Sequence, residues 1–129
     1  MSNKSSMRTP LSRVRYLGAA HSGTEHFWKQ RVSAVALVIL TIAFIGIVFG
    51  LLGRNHAAAS QILGSPFVAI VMLMFVITSV YHMWLGMQVI IEDYVHSDFK
   101  LTLIMLNTFF CFAVAMSCIY AIVKLTFGV

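Results

Sequence analysis

Six side chains in this sequence could do chemistry away from bulk water, on two stretches of the chain. His82 stands alone inside a long apolar run, and Glu92-Asp93-Tyr94 closes that same run. Arg31 opens an earlier run, with Ser33 just inside it. A neutral imidazole offers one N–H and one bare nitrogen. It can therefore ligate a metal or haem iron, or it can bond to a Ser or Thr on a neighbouring helix. Position alone balances these two readings. Ser79 and Gly86 lie about one helical turn to either side of His82 and leave small residues on its own face. A flat macrocycle needs such clearance, although ordinary packing of membrane helices uses small residues too. At the end of the run, the Tyr94 phenol can donate a hydrogen bond to a carbonyl oxygen, and Asp93 can orient a base or relay protons. An amphipathic carbonyl compound such as a quinone fits that pair. Interfacial tyrosines and acidic helix ends also occur with no chemistry attached.

These groups need long apolar elements to hold them. The chain has 129 residues, 60% hydrophobic and only 10% charged, against about 25% charged in a soluble domain. The charges cluster between three apolar runs, residues 32–52, 66–91 and 101–127. Each is long enough for a hydrocarbon core that takes about 20 helical residues. The predicted fold is all-α and integral to the membrane, with three transmembrane helices in an up-down-up bundle. Residues 1–31 form a basic arm ending in a short N-terminal interfacial helix. Ser22-Gly23-Thr24-Glu25 fits a capping box for that helix, and Phe27 and Trp28 suit the headgroup level. The arm has the Arg and Ser content of a transit peptide, and equally of a segment lying on anionic headgroups or an acidic partner.

Lys4, Arg8, Arg13, Arg15, Lys29 and Arg31 precede the first span, whereas the next loop carries only Arg54. The positive-inside tendency therefore places the N-terminus in the cytoplasm, or in a mitochondrial matrix. The loop 92–100 lies on the same side, and the C-terminus opposite. His82 sits nine residues, roughly 14 Å, from the cytoplasmic end of its span, and Asp93 lies about 16 Å along the axis from His82. Arg31 opens the first span at a depth similar to Asp93. Carboxylate, phenol and guanidinium are thus expected to meet at one interface.

Several functions are excluded. There is no C-x-x-C, no His/Cys cluster, no glycine-rich nucleotide fingerprint, and no stretch long enough for a soluble catalytic domain. No nucleic-acid partner is expected. Cys111 and Cys118, seven apart on one helix, stand roughly 10 Å apart along the axis and pack as free thiols. His21, His26, His56 and His96 all fall in the arm, loops or interfaces. A bis-histidine haem would thus take its second ligand from another chain. Met83 and Met87 share the helix of His82 and cannot reach the far side of its haem, and Met74 reads as adaptable packing. These residues describe a subunit rather than a self-sufficient cytochrome.

The stretch Tyr81-His82-Met83-Trp84-Leu85-Gly86-Met87-Gln88-Val89-Ile90-Ile91-Glu92-Asp93-Tyr94-Val95 resembles the second-span signature of the hydrophobic anchor subunit (D chain) of succinate dehydrogenase, respiratory complex II. Gln30-Arg31-Val32-Ser33-Ala34 and the arm segment 22–28 resemble its alphaproteobacterial members. The resemblance implies that His82 is an axial ligand of a b-type haem shared with a second anchor, the C subunit. It implies that Tyr94 bonds a ubiquinone carbonyl, that Asp93 supports that site, and that Arg31 lies near a haem propionate or the quinone pocket. Flavoprotein and iron–sulfur subunits would supply electrons from succinate, at a bacterial inner membrane, in the tricarboxylic acid cycle and aerobic electron transport. This chain alone would have no dehydrogenase activity. Competing expectations are a fumarate reductase anchor, a haem-free structural anchor, and a small proton- or ion-conducting subunit. The last would use His82 and Asp93 as a relay, with Asn107, Thr108, Ser117 and Lys124 as its other polar groups.

Overall fold

In lipid a backbone can satisfy its polar groups only within a helix or a closed barrel, and every apolar run here resolves into helix. The computed structural model describes residues 9, 11, 23–96 and 98–128. Its helices are α1 (Gly23–Leu51), α2 (His56–Leu63), α3 (Pro66–Tyr94) and α4 (Lys100–Phe127). Helices α1, α3 and α4 are long and apolar enough to cross a membrane. The interfacial segment predicted to start near Gly23 is the beginning of α1. From Gly23 the chain runs unbroken into the first span, because no proline or internal cap interrupts it. Twenty-nine residues extend about 43 Å, more than a core of about 30 Å requires, so the first two turns of α1 serve as the interfacial segment. The Ser22 end of the expected capping box lies outside the described residues.

Helix α2 falls within residues 53–65, where the apolar pattern predicts only a loop. Gly53, at φ 72°, turns the chain out of α1. Asn55 then caps α2, its side chain accepting from the Ala58 N–H at 2.9 Å. Ser65 and Pro66 start α3, proline being at ease where its missing N–H would be unpaired anyway.

Helix α3 is central, packed against α1 and α4, with α2 set against the start of α3 and the end of α4. The Phe44 and Phe75 rings stack between α1 and α3, with centroids 4.6 Å apart. Polar ties join α3 to α4: Asn107 Nδ2 donates to the Trp84 carbonyl at 3.2 Å, and Trp84 Nε1 donates to Thr108 Oγ1 at 3.2 Å. At the α3–α4 turn, Lys100 Nζ donates to the Glu92 carbonyl at 3.0 Å. These pairings run antiparallel, which gives the up-down-up order. Leu85, at 1% exposure, is the most enclosed side chain among the described residues. Large apolar residues such as Ile42, Phe49 and Phe112 lie open on the outer faces. In water such surfaces would associate; in lipid the acyl chains cover them, and helices hold by close packing and interhelical hydrogen bonds.

Candidate functional site

Helix register decides what stands near His82. Ser33 of α1 faces α3 and is 6% exposed, the one buried residue of α1 among those described. Its Oγ lies 2.8 Å from His82 Nδ1 and donates to the Gln30 carbonyl at 3.0 Å. Gln30, nearly one turn earlier on a similar face, brings its Nε2 to 3.5 Å from His82 Nε2. Both imidazole nitrogens therefore address α1. The Ser33 contact is the neighbouring-helix hydroxyl that one of the two readings of His82 expected.

The surroundings pass a test for a larger group. Gln30 reaches Nε2 by lying across the backbone of Gly86, where an added Cβ would stand 3.4 Å from Gln30 Nε2. Gln30 Oε1 and Ser79 Oγ are buried without hydrogen-bond partners. A buried amide with an unpaired oxygen is costly, and Gln30 is a flexible side chain that can withdraw. One ligand nitrogen, a glycine beside it and a displaceable amide suit one half of a haem site. No second ligand stands near His82 among the described residues. No cluster of three metal-ligating groups occurs among the described residues. His26 and His96 lie at the end of the bundle that carries the arm, and His56 starts α2 at the opposite end. His21 falls outside the described residues.

Because Ser33 is opposite His82, Arg31 stands only about 3 Å along the axis from that level, whereas Asp93 is about 16 Å beyond it. The expected meeting of guanidinium, carboxylate and phenol does not form within this chain. Arg31 is exposed, two residues or about 200° around α1 from Ser33, and its guanidinium carbon sits 4.4 Å over the Phe27 ring. The interhelical register that offsets these groups cannot be counted along either helix alone. Phe27 and Trp28 meet edge to face, centroids 6.2 Å apart, beside a Lys29–Glu25 ion pair.

Asp93 and Tyr94 are exposed, Tyr94 at 80%, and neither side chain bonds another described residue. Around them the chain is tied down. Gln88 Nε2 donates to Glu92 Oε1 at 2.9 Å, Lys100 holds the Glu92 carbonyl, and the His96 ring bonds the Tyr94 carbonyl at 3.3 Å. The phenol and carboxylate thus project from a fixed helix end. The polar groups of α4 offer no relay toward them. Thr108 and Ser117 donate to the carbonyls of Ile104 and Ala113 on their own helix, and Asn107 holds Trp84. Cys111 and Cys118 are free thiols, as expected.

Gln30 is the site residue that sequence reasoning gave no role. The available signal was its polarity one turn before the only hydroxyl at the start of the run.

Residues 5–123 match the family model described as the succinate dehydrogenase/fumarate reductase transmembrane subunit. A succinate dehydrogenase hydrophobic membrane anchor subunit of Paracoccus denitrificans is 33% identical over 120 residues, covering 93% of each chain. A protein of the same description from Rickettsia bellii is 38% identical over 90 residues, 68% of this chain and 70% of its own. No solved structure matches the chain. A three-span bundle with a lone buried-face histidine and an Asp-Tyr helix end is thus joined by similarity along nearly its whole length, and the chain belongs to the succinate dehydrogenase/fumarate reductase transmembrane subunit family.

Proposed function

We propose that this chain is the hydrophobic membrane anchor of a succinate:ubiquinone oxidoreductase. It would hold the flavoprotein and iron–sulfur subunits at the membrane, help form the ubiquinone site, and give one axial ligand to a b-type haem. The observation that carries the reading is the layout of α3. An imidazole with a displaceable neighbour at Nε2 and an exposed carboxylate–phenol pair share one helix, about 16 Å apart along its axis.

His82 would hold the haem iron through Nε2, with a histidine of a second anchor chain on the other side. A b-type haem, when bound, supplies a one-electron store beside the quinone site. Tyr94 donates its phenolic hydrogen bond to a quinone carbonyl, and Asp93 beside it would relay protons toward that carbonyl as it is reduced. Arg31, level with His82 and facing away from α3, is better placed for a haem propionate than for the quinone, since a guanidinium pairs a carboxylate bidentately. The arm end would face the cytoplasm, where its basic residues and the soluble subunits lie.

The haem-free anchor has one observation in its favour: both nitrogens of His82 already have polar neighbours on α1. A haem spectrum separates the two. The anchoring role is tested by deleting the chain from cells that carry its partner subunits. Succinate oxidation with a soluble dye should persist in the cytosolic fraction, while membrane attachment and quinone reduction disappear and return on re-expression. Unchanged membrane-bound quinone reductase activity in the deletion would overturn the proposal.

A further inference from the structure

Ser33 makes two contacts with one proton. Its Oγ is 3.0 Å from the Gln30 carbonyl and 2.8 Å from His82 Nδ1. The hydroxyl donates its hydrogen to that carbonyl, which can only accept. The oxygen then turns its lone pairs toward Nδ1, which must carry the hydrogen of the pair. A neutral imidazole has a single N–H, so Nε2 is left bare. The Gln30 contact agrees, because an amide nitrogen donates and lies 3.5 Å from Nε2. Ser33 is 6% exposed, so water does not compete for its lone pairs.

We infer that Ser33 is a positioning residue that fixes His82 as the Nδ1–H tautomer and so presents Nε2, and not Nδ1, to the haem iron. This rests on the haem reading above. A ligating histidine is oriented and made more basic by the group that accepts its other N–H, and loss of that group typically costs about 10–100-fold in metal affinity. A hydroxyl whose own proton is committed elsewhere serves as such an acceptor without adding a charge to the membrane interior. Gln30 holds the bare nitrogen by one long contact, which a ligand can replace.

The test uses Ser33→Ala, which removes the acceptor, and Ser33→Thr, which keeps a hydroxyl. In the haem-free full chain in lipid nanodiscs, nitrogen NMR of labelled histidine should show His82 protonated at Nδ1. In Ser33→Ala it should show a mixture of tautomers, with Ser33→Thr restoring the wild-type pattern. In the purified complex, Ser33→Ala should retain haem about 10–100-fold less tightly. Its midpoint potential should rise, because an imidazole without the acceptor gives less electron density to the ferric iron. Ser33→Thr should stay near wild type. A wild-type complex with haem, in which Ser33→Ala changes neither tautomer nor potential, would overturn this inference alone. A wild-type complex without haem would overturn the haem reading and this inference together.

Discussion

A phenol that projects from a helix end without a partner among the described residues adds nothing to their packing that phenylalanine would not. Tyr94 is such a residue. Tyr94→Phe is therefore expected to leave assembly and succinate oxidation with a soluble dye unchanged. Quinone reduction should fall by about 10²–10⁴-fold, the usual effect of losing a positioned proton donor. Steady-state assays of the two reactions on the same preparation check this, and equal quinone reduction would remove Tyr94 from the site. Much at this scale was legible in the sequence. His82 was conspicuous because an ionisable group inside an apolar run is costly, and Asp93-Tyr94 because the two close a span. What stayed hidden was relational. The level of Arg31 depends on how α1 slides against α3, and the contact of Gln30 with Nε2 depends on a rotamer.

At the scale of elements, α2 and α4 meet where a side chain cannot fit. A Cβ added to Gly64 would stand 2.7 Å from the Leu125 carbonyl oxygen and 3.0 Å from that of Ser60. Both obstacles are backbone, so they cannot rotate away. Gly64→Ala should destabilise the bundle by about 1–3 kcal/mol, the usual cost of overpacking, read as a lower unfolding midpoint in detergent. Gly50→Ala, whose Cβ meets nothing within 4 Å in this chain, is the comparison. On the other flank of α3, Asn107→Leu removes the bond to the Trp84 carbonyl. It should cost about 0.6–2 kcal/mol, the range for an interhelical hydrogen bond in a membrane. An unshifted midpoint would show that this tie does not hold α3 to α4. Helix α2 escaped the sequence reading because eight residues are too few for a span and lie among turn residues. The interfacial segment continues into the span because the charges before residue 32 end the apolar run without ending the helix.

The whole molecule is three lipid-length helices with few enclosed side chains. The three spans and their antiparallel order were legible because a bilayer imposes its length on any apolar helix. Their outer surfaces were not, since lipid and a partner helix accept the same side chains. Orientation is checked by single cysteines at His96 and Arg54, with Cys111 and Cys118 replaced. The positive-inside bias predicts that a membrane-impermeant maleimide labels Arg54→Cys in spheroplasts, and His96→Cys only after lysis. The reverse pattern would invert the bundle. The central claim, that this anchor shares a haem through His82, is tested most directly by the reduced-minus-oxidised spectrum of the purified complex, taken for wild type and for His82→Ala. Haem ligation by His82 predicts a b-type signal in wild type that is lost or displaced in the variant. A wild-type complex without the signal, or a variant with an unaltered one, would contradict it.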